Sequence, residues 1–245
     1  FIFLKRFVYL NCKVIMGSWV DFWNSEHSIY VNNAHKSAHS RRLLEDITGW
    51  ISDEAFSVLD FGCGEALYAE DLAKKCSKLS LVDSSTNIRD MLISRTFGNE
   101  SIVIKDVAEC YNLRDETFDL IIVNSVFQYL NLDDTKNILN MFNKKLKKHG
   151  KLVIADVIPP NLSIISDTTS LLKFAWANGF FAISLLGLFK TYFSDYRHLR
   201  REVGLSVYSA ADFTDLLSQN GFKARLMARN FGHNQGRNCF CATKA

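Results

Sequence analysis

Proline is nearly absent: Pro159 and Pro160 stand side by side, and the other 243 residues hold none. With 48% hydrophobic residues, that scarcity rules out a disordered or Pro-rich chain. Charge of one sign is also lacking. The formal net charge is +3 over 245 residues, too small and too scattered for a nucleic-acid partner. Basic residues thicken only in Lys144-Lys145-Leu146-Lys147-Lys148 and between Arg197 and Arg201, and both stretches read as solvated helix ends. Metal spacings are missing: no HxH, DxD or CxxC occurs, so no metal is expected. The six cysteines (Cys12, Cys63, Cys76, Cys110, Cys239 and Cys241) read as reduced thiols of a cytoplasmic protein. Nor is any apolar run long enough to cross a bilayer.

What is present suits one α/β domain with a modest extra element. Residues 1–18 read as an apolar and basic leader that need not be native to the domain, with Met16 as an alternative start. The segment carries no small-residue cleavage site, and Asp21 spoils a myristoylation signal at Gly17. Residues 19–245 form the domain, opening with helices over 19–50, where Leu43, Leu44, Ile47 and Ile51 share a face.

Strand and helix signals then alternate. Strands are predicted at Phe56–Phe61, Leu79–Asp83, Ser101–Lys105, Phe118–Asn124 and Lys151–Val157. Helices are predicted at Ala66–Lys75, Ser85–Phe97 and Asp133–Lys148. This alternation implies a parallel sheet with right-handed crossovers. After the helical insert 161–200 come a helix, Ser209–Asn220, and two strands, Phe222–Ala228 and Asn238–Thr243. Their connection is too short for a helical crossover, so the last strand should be antiparallel. The predicted fold is a Rossmann-like, seven-stranded, mostly parallel sheet with helices on both faces and a helical lid.

The sharpest chemical signal is Val58-Leu59-Asp60-Phe61-Gly62-Cys63-Gly64, a strand that runs into a glycine turn. Asp83 follows Gly64 by 19 residues at the end of the second strand, where a carboxylate can accept both hydroxyl hydrogens of a ribose. No glycine follows Gly64 until Gly98, which argues against a dinucleotide and its pyrophosphate. Asp60 beside the turn would repel phosphate and favour a ligand bearing a cation or an amine. Asp60, Asp83, Asp106 and Asn124 all fall at predicted strand ends, the ligand-binding edge of an open α/β sheet.

These residues resemble the class I S-adenosylmethionine-dependent methyltransferases, in particular the small-molecule branch similar to the quinone-biosynthesis enzymes. The acidic residue followed by G-C-G is matched by Asp60, Phe61, Gly62, Cys63 and Gly64, although Ala66 stands where a further glycine is common. The resemblance implies S-adenosylmethionine as cofactor, with Asp83 and Ser84 at the ribose and Asp106 and Val107 at the adenine. It also implies a fourth-strand motif that brings Asn124, Ser125 and Gln128 to the cofactor. It is strong over 56–157 and looser over 206–243. An Asn-Pro-Pro-Tyr signature is absent, and Asn124-Ser125-Val126-Phe127 stands in its place.

The reaction implied is in-line displacement at an already activated sulfonium, driven mainly by positioning. If the acceptor needs a base, the candidates are Tyr30, His35, His39, Tyr129 and His233. The insert 161–200 contains sixteen uncharged residues from Phe174 to Phe189, interrupted by Gly179 and Gly187. It reads as a lid over an apolar pocket, and a dimer helix or shallow contact with a membrane surface are the alternatives. The expected partner is therefore a small, apolar or lipid-like acceptor for a monomer or homodimer. Protein or RNA methylation, or a noncatalytic binding module, are the competing functions.

Overall fold

The computed structural model describes residues 33–181 and 204–245. Expectations for residues 1–32, including Tyr30, and for the latter part of the insert, from residue 182 on, lie outside the described residues.

The described chain opens with α1 (Asn33–Thr48), followed by β1 (Ser57–Phe61), α2 (Ala69–Ala73), β2 (Lys78–Val82), α3 (Thr86–Arg95) and β3 (Ile102–Lys105). Next come α4 (Val107–Asn112), β4 (Phe118–Asn124), α5 (Leu132–Lys145), β5 (Leu146–Val157) and α6 (Ile164–Ala177). The chain ends with α7 (Ala210–Gln219), β6 (Phe222–Leu226) and β7 (Asn238–Lys244). The strands form one seven-stranded sheet in the order β3-β2-β1-β4-β5-β7-β6. Only β7 runs against its neighbours, β5 and β6. The sheet therefore has the architecture and the reversed last strand that the sequence implied.

The central strands are buried along most of their length, as a sheet covered on both faces requires. Alternation sorts their side chains into two cores. Leu59, Phe61, Ile121 and Val123 pack with Phe142 of α5 and Phe213 of α7. Val58, Leu81, Ile122 and Val153 pack with Ile47 of α1 and Leu72 of α2. Asp60 therefore lies on the face opposite its neighbours Leu59 and Phe61.

Several helices are bounded by local features that periodicity does not carry. The helix after the glycine turn is only Ala69–Ala73, because Ala66 has φ +36° and cannot start a helix. Helix α5 stops at Lys145 rather than Lys148. The Glu116 and Thr117 amides bond the Lys144 and Lys145 carbonyls, and Leu146 pairs with Phe118, so the chain turns extended early. Helix α4 was not foreseen. Its signature, Asp106 and Glu109 as a reciprocal capping box, is present in the sequence. Helix α6 ends at Ala177, just before Gly179 with φ +77°, and the Phe180 amide turns back to the Ala175 carbonyl at 3.0 Å.

Candidate active site

At the end of β1, Gly62 and Gly64 have φ of +72° and +56°. Gly62 is required by space, since a Cβ there would stand 2.3 Å from Cγ2 of Val126. A Cβ on Gly64 would meet nothing within 4 Å, so the outer face of the turn is open to a ligand. The turn is tied to β2 and the residue after it. The amides of Gly62 and Cys63 donate to the Val82 carbonyl at 2.7 and 3.2 Å. The Gly64 amide donates to Asp83 Oδ2 at 2.9 Å, and the Ser85 amide donates to Asp83 Oδ1 at 2.9 Å. A carboxylate oxygen has two acceptor positions, so Asp83 keeps capacity for ribose hydroxyls. Burial raises its pKa, and the amide hydrogen bonds oppose that shift.

Asp60 is buried and accepts a hydrogen bond from the Tyr68 hydroxyl at 2.6 Å. Burial pushes its pKa up to about 7, the Tyr68 hydrogen bond pulls it down, and the charge of Asp83 adds to the rise. Burial, with Asp60 and Asp83 adding to it, also pushes the Cys63 thiol well above its ordinary value. Two carboxylates flanking an open glycine turn disfavour phosphate and suit a ligand of hydroxyls, an amine and a sulfonium. The residues present thus fit S-adenosylmethionine. The loop beyond is braced by an ion pair between Lys36 of α1 and Glu65, and by Arg95, which donates to the carbonyls of Glu65 and Ala66.

Next to this turn, at the carboxyl ends of β4 and β5, lies a cavity of about 120 Å³ lined by His39, Asn124, Ser125, Asp156, His233 and Arg237 among others. Ser125 and Asp156 both hold positive φ, +59° and +65°, and the Ser125 hydroxyl donates to Asp156 Oδ2 at 2.6 Å. Such strain persists only where the surroundings enforce it. Here the Asn230 carboxamide oxygen accepts the Asp156 amide at 2.9 Å, and Arg237 donates to Asp156 at 2.7 Å. Arg237 also reaches Asp167 of α6 and the Gln128 side chain, both at 3.3 Å.

Three of the five candidate bases meet here. His35 and His39 of α1 and His233 of the β6–β7 loop have ring centroids 6.4, 6.2 and 6.1 Å apart. Phe174 stacks on His233 at 4.8 Å and Phe180 on His35 at 5.2 Å. Burial, reinforced by a neighbouring histidine in each case, pushes all three pKa values down to about 4. Gly232 holds φ +68°, a backbone conformation that favours glycine, and the His39 ring lies beside it. No group of three His, Cys, Asp or Glu among the described residues could hold a metal.

The remaining candidates separate. Tyr129 lies in a 3-10 turn, Phe127–Tyr129, outside the cavity lining. Asn124 and Ser125 line the cavity, and Gln128 faces Arg237. The Phe61 side chain is core: it meets Phe142 edge-on at 5.0 Å, because alternation turns it away from Asp60. Asp106 Oδ1 caps α4 by accepting the Glu109 amide at 2.7 Å, and Val107 packs partly buried against the core. The Ser84 carbonyl accepts from Arg89 at 2.8 Å. Tyr68, Asp156 and Arg237 were missed. Asp156 had a readable signal, a carboxylate after the apolar run Leu152–Ala155 at the end of the fifth strand.

The comparisons with known proteins indicate an S-adenosylmethionine-dependent methyltransferase. Residues 59–154 match the methyltransferase domain family. The chain is 28% identical over 171 residues to a demethylmenaquinone methyltransferase of Thermotoga maritima, covering 68% of this chain and 69% of that protein. It is 26% identical over 201 residues to an uncharacterized methyltransferase of Schizosaccharomyces pombe, covering 73% and 69%. In fold it is similar to magnesium protoporphyrin IX methyltransferase of Synechocystis with bound S-adenosylhomocysteine, with a TM-score of 0.58, 13% identity and 94% of each chain covered. Within the class the chain resembles the quinone-biosynthesis enzymes.

Proposed function

We propose that the chain methylates a small aromatic acceptor seated in the cavity at the ends of β4 and β5. One observation carries this reading: an open turn flanked by carboxylates adjoins a cavity lined by ring side chains on the same sheet edge. S-adenosylmethionine, when bound, supplies a methyl group that needs no further activation. Asp83 and Ser84 hold the ribose in this reading, Asp106 and Val107 flank the adenine, and Asp60 with Gly62, Cys63 and Gly64 supports the amine-bearing end. Asn124 and Ser125 separate cofactor from acceptor.

A cavity of about 120 Å³ admits roughly one aromatic ring, judged against apolar cavities that bind benzene. Phe231 in its lining and Phe174 stacked on His233 favour an aromatic acceptor. The demethylmenaquinone methyltransferase relative points the same way. The polar groups facing the cavity narrow the sequence expectation of a simply apolar acceptor to a ring with polar substituents. We place the enzyme in the cytoplasm: Cys63, Cys76, Cys110, Cys239 and Cys241 are free thiols. No helix among the described residues is long and apolar enough to cross a membrane. Isotopically labelled S-adenosylmethionine incubated with fractionated cell extract tests the reading. Label in small aromatic compounds supports it, and label confined to protein or RNA refutes it.

A further inference from the structure

Resting on that reading, we propose that His39 and His233 take up the proton released when an aromatic hydroxyl in the cavity is methylated. Both rings line the cavity, and they approach it from different elements, one from α1 and one from the β6–β7 loop. The Nδ1 atom of His233 is buried and accepts or donates no hydrogen bond, although a buried polar atom is ordinarily satisfied.

The surroundings fix the protonation state. His35 and His39 on α1, Asp156 on β5, Asp167 on α6 and Arg237 before β7 are the charged or titratable groups that act on this pair. Burial keeps both imidazoles neutral at neutral pH, so both are in the proton-accepting form. A proton on one ring disfavours a second on its neighbour, and Asp156 favours the cation on either ring. In the step itself, the acceptor O–H bond breaks and its proton passes to an imidazole nitrogen. The oxygen electron pair forms the new O–C bond, and the C–S bond breaks with its pair left on sulfur. One positive charge disappears at the sulfonium as one appears on the imidazole, so the net charge of the site does not change. His35 does not line the cavity and stays outside the proposal.

The test compares phenol, which must lose a proton, with thiophenol, largely ionised at neutral pH. His39→Gln and His233→Gln keep a polar side chain but cannot take the proton. The loss of kcat on phenol in the more affected variant should be about 100-fold or greater. S-adenosylhomocysteine affinity should stay near wild type, and thiophenol turnover should fall far less than phenol turnover. A second readout needs no turnover. With S-adenosylhomocysteine bound, phenol should shift the 15N-imidazole signals of His39 or His233 in wild-type protein, and this decides the matter if either variant fails to fold. Equal losses on both probes, unchanged phenol turnover in both variants, or unmoved imidazole signals overturn the proposal. A wild type that methylates neither probe counts against the aromatic-acceptor reading and takes this proposal with it.

Discussion

The Gly64 amide donates to Oδ2 of Asp83 at 2.9 Å, joining the glycine turn to the end of the second strand across 19 residues. The same carboxylate that is placed to meet the ribose therefore also shapes the turn. Asp83→Ala should weaken binding of S-adenosylhomocysteine by about 1.5–3 kcal/mol, the scale of a hydrogen bond to a charged group. Titration calorimetry checks it, and unchanged affinity would remove Asp83 from the site.

Asp60 should make the ligand-free protein less stable as pH rises. Its folded pKa, about 7, lies above the ordinary 3.8, so the folded state holds the proton more tightly than the unfolded chain. The stability it contributes is full below the ordinary value and is lost between about 4 and 7. Asp60→Asn keeps an oxygen for the Tyr68 hydroxyl and removes the titration. The variant should gain about 2–4 kcal/mol on wild type between the two ends of that window. Urea melts at both pH values measure it, and parallel pH profiles would contradict the assignment.

The histidine cluster acts with the opposite sign. Each folded pKa, about 4, lies below the ordinary 6.5, so its contribution is full above 6.5 and is lost as pH falls towards 4. Replacing His35, His39 and His233 together by Gln should flatten the acid side of the stability profile relative to wild type. An unchanged acid slope, measured by thermal melting between these pH values, would show that the three rings are not buried as a neutral group.

Arg237 ties β5 to α6 through Asp156 and Asp167, at 2.7 and 3.3 Å. Arg237→Met leaves two carboxylates of limited exposure without their cation and should cost about 2–4 kcal/mol. Arg237→Lys keeps the charge but lacks the planar fork that serves both partners, and should fall between the two. Melting temperatures rank the three proteins. Limited proteolysis should show earlier cutting near α6 in the Met variant.

Much of the cofactor side was legible because its residues are close in sequence to strong backbone signals. A strand, two glycines and a carboxylate at the next strand end leave few arrangements open. Tyr68 was harder to read, because its role depends on a short helix that begins later than periodicity suggested. Ala66 explains that delay: where the family commonly has glycine, this chain forces φ to +36°. The acceptor side was less legible for a different reason. His35 and His39 are 194–198 residues from His233, and periodicity carries no information on so distant a contact. Arg237 carries no local sequence signal; the fold alone sets it between Asp156 and Asp167. Asp106 shows the reverse case, a residue singled out for a ligand whose Oδ1 is engaged in capping α4.

The reversal of β7 has an effect beyond the sheet itself. Strand β6 runs parallel to β1 through β5, so a seventh strand running back from it places their connection at the carboxyl edge. A parallel seventh strand would have sent the chain across to the opposite edge and removed His233 from the site. The cavity-lining residues of this loop therefore sit on a hairpin tip, whose length can change without shifting the strands that shape the glycine turn. Selectivity for the methyl acceptor can diverge there while cofactor use is inherited intact.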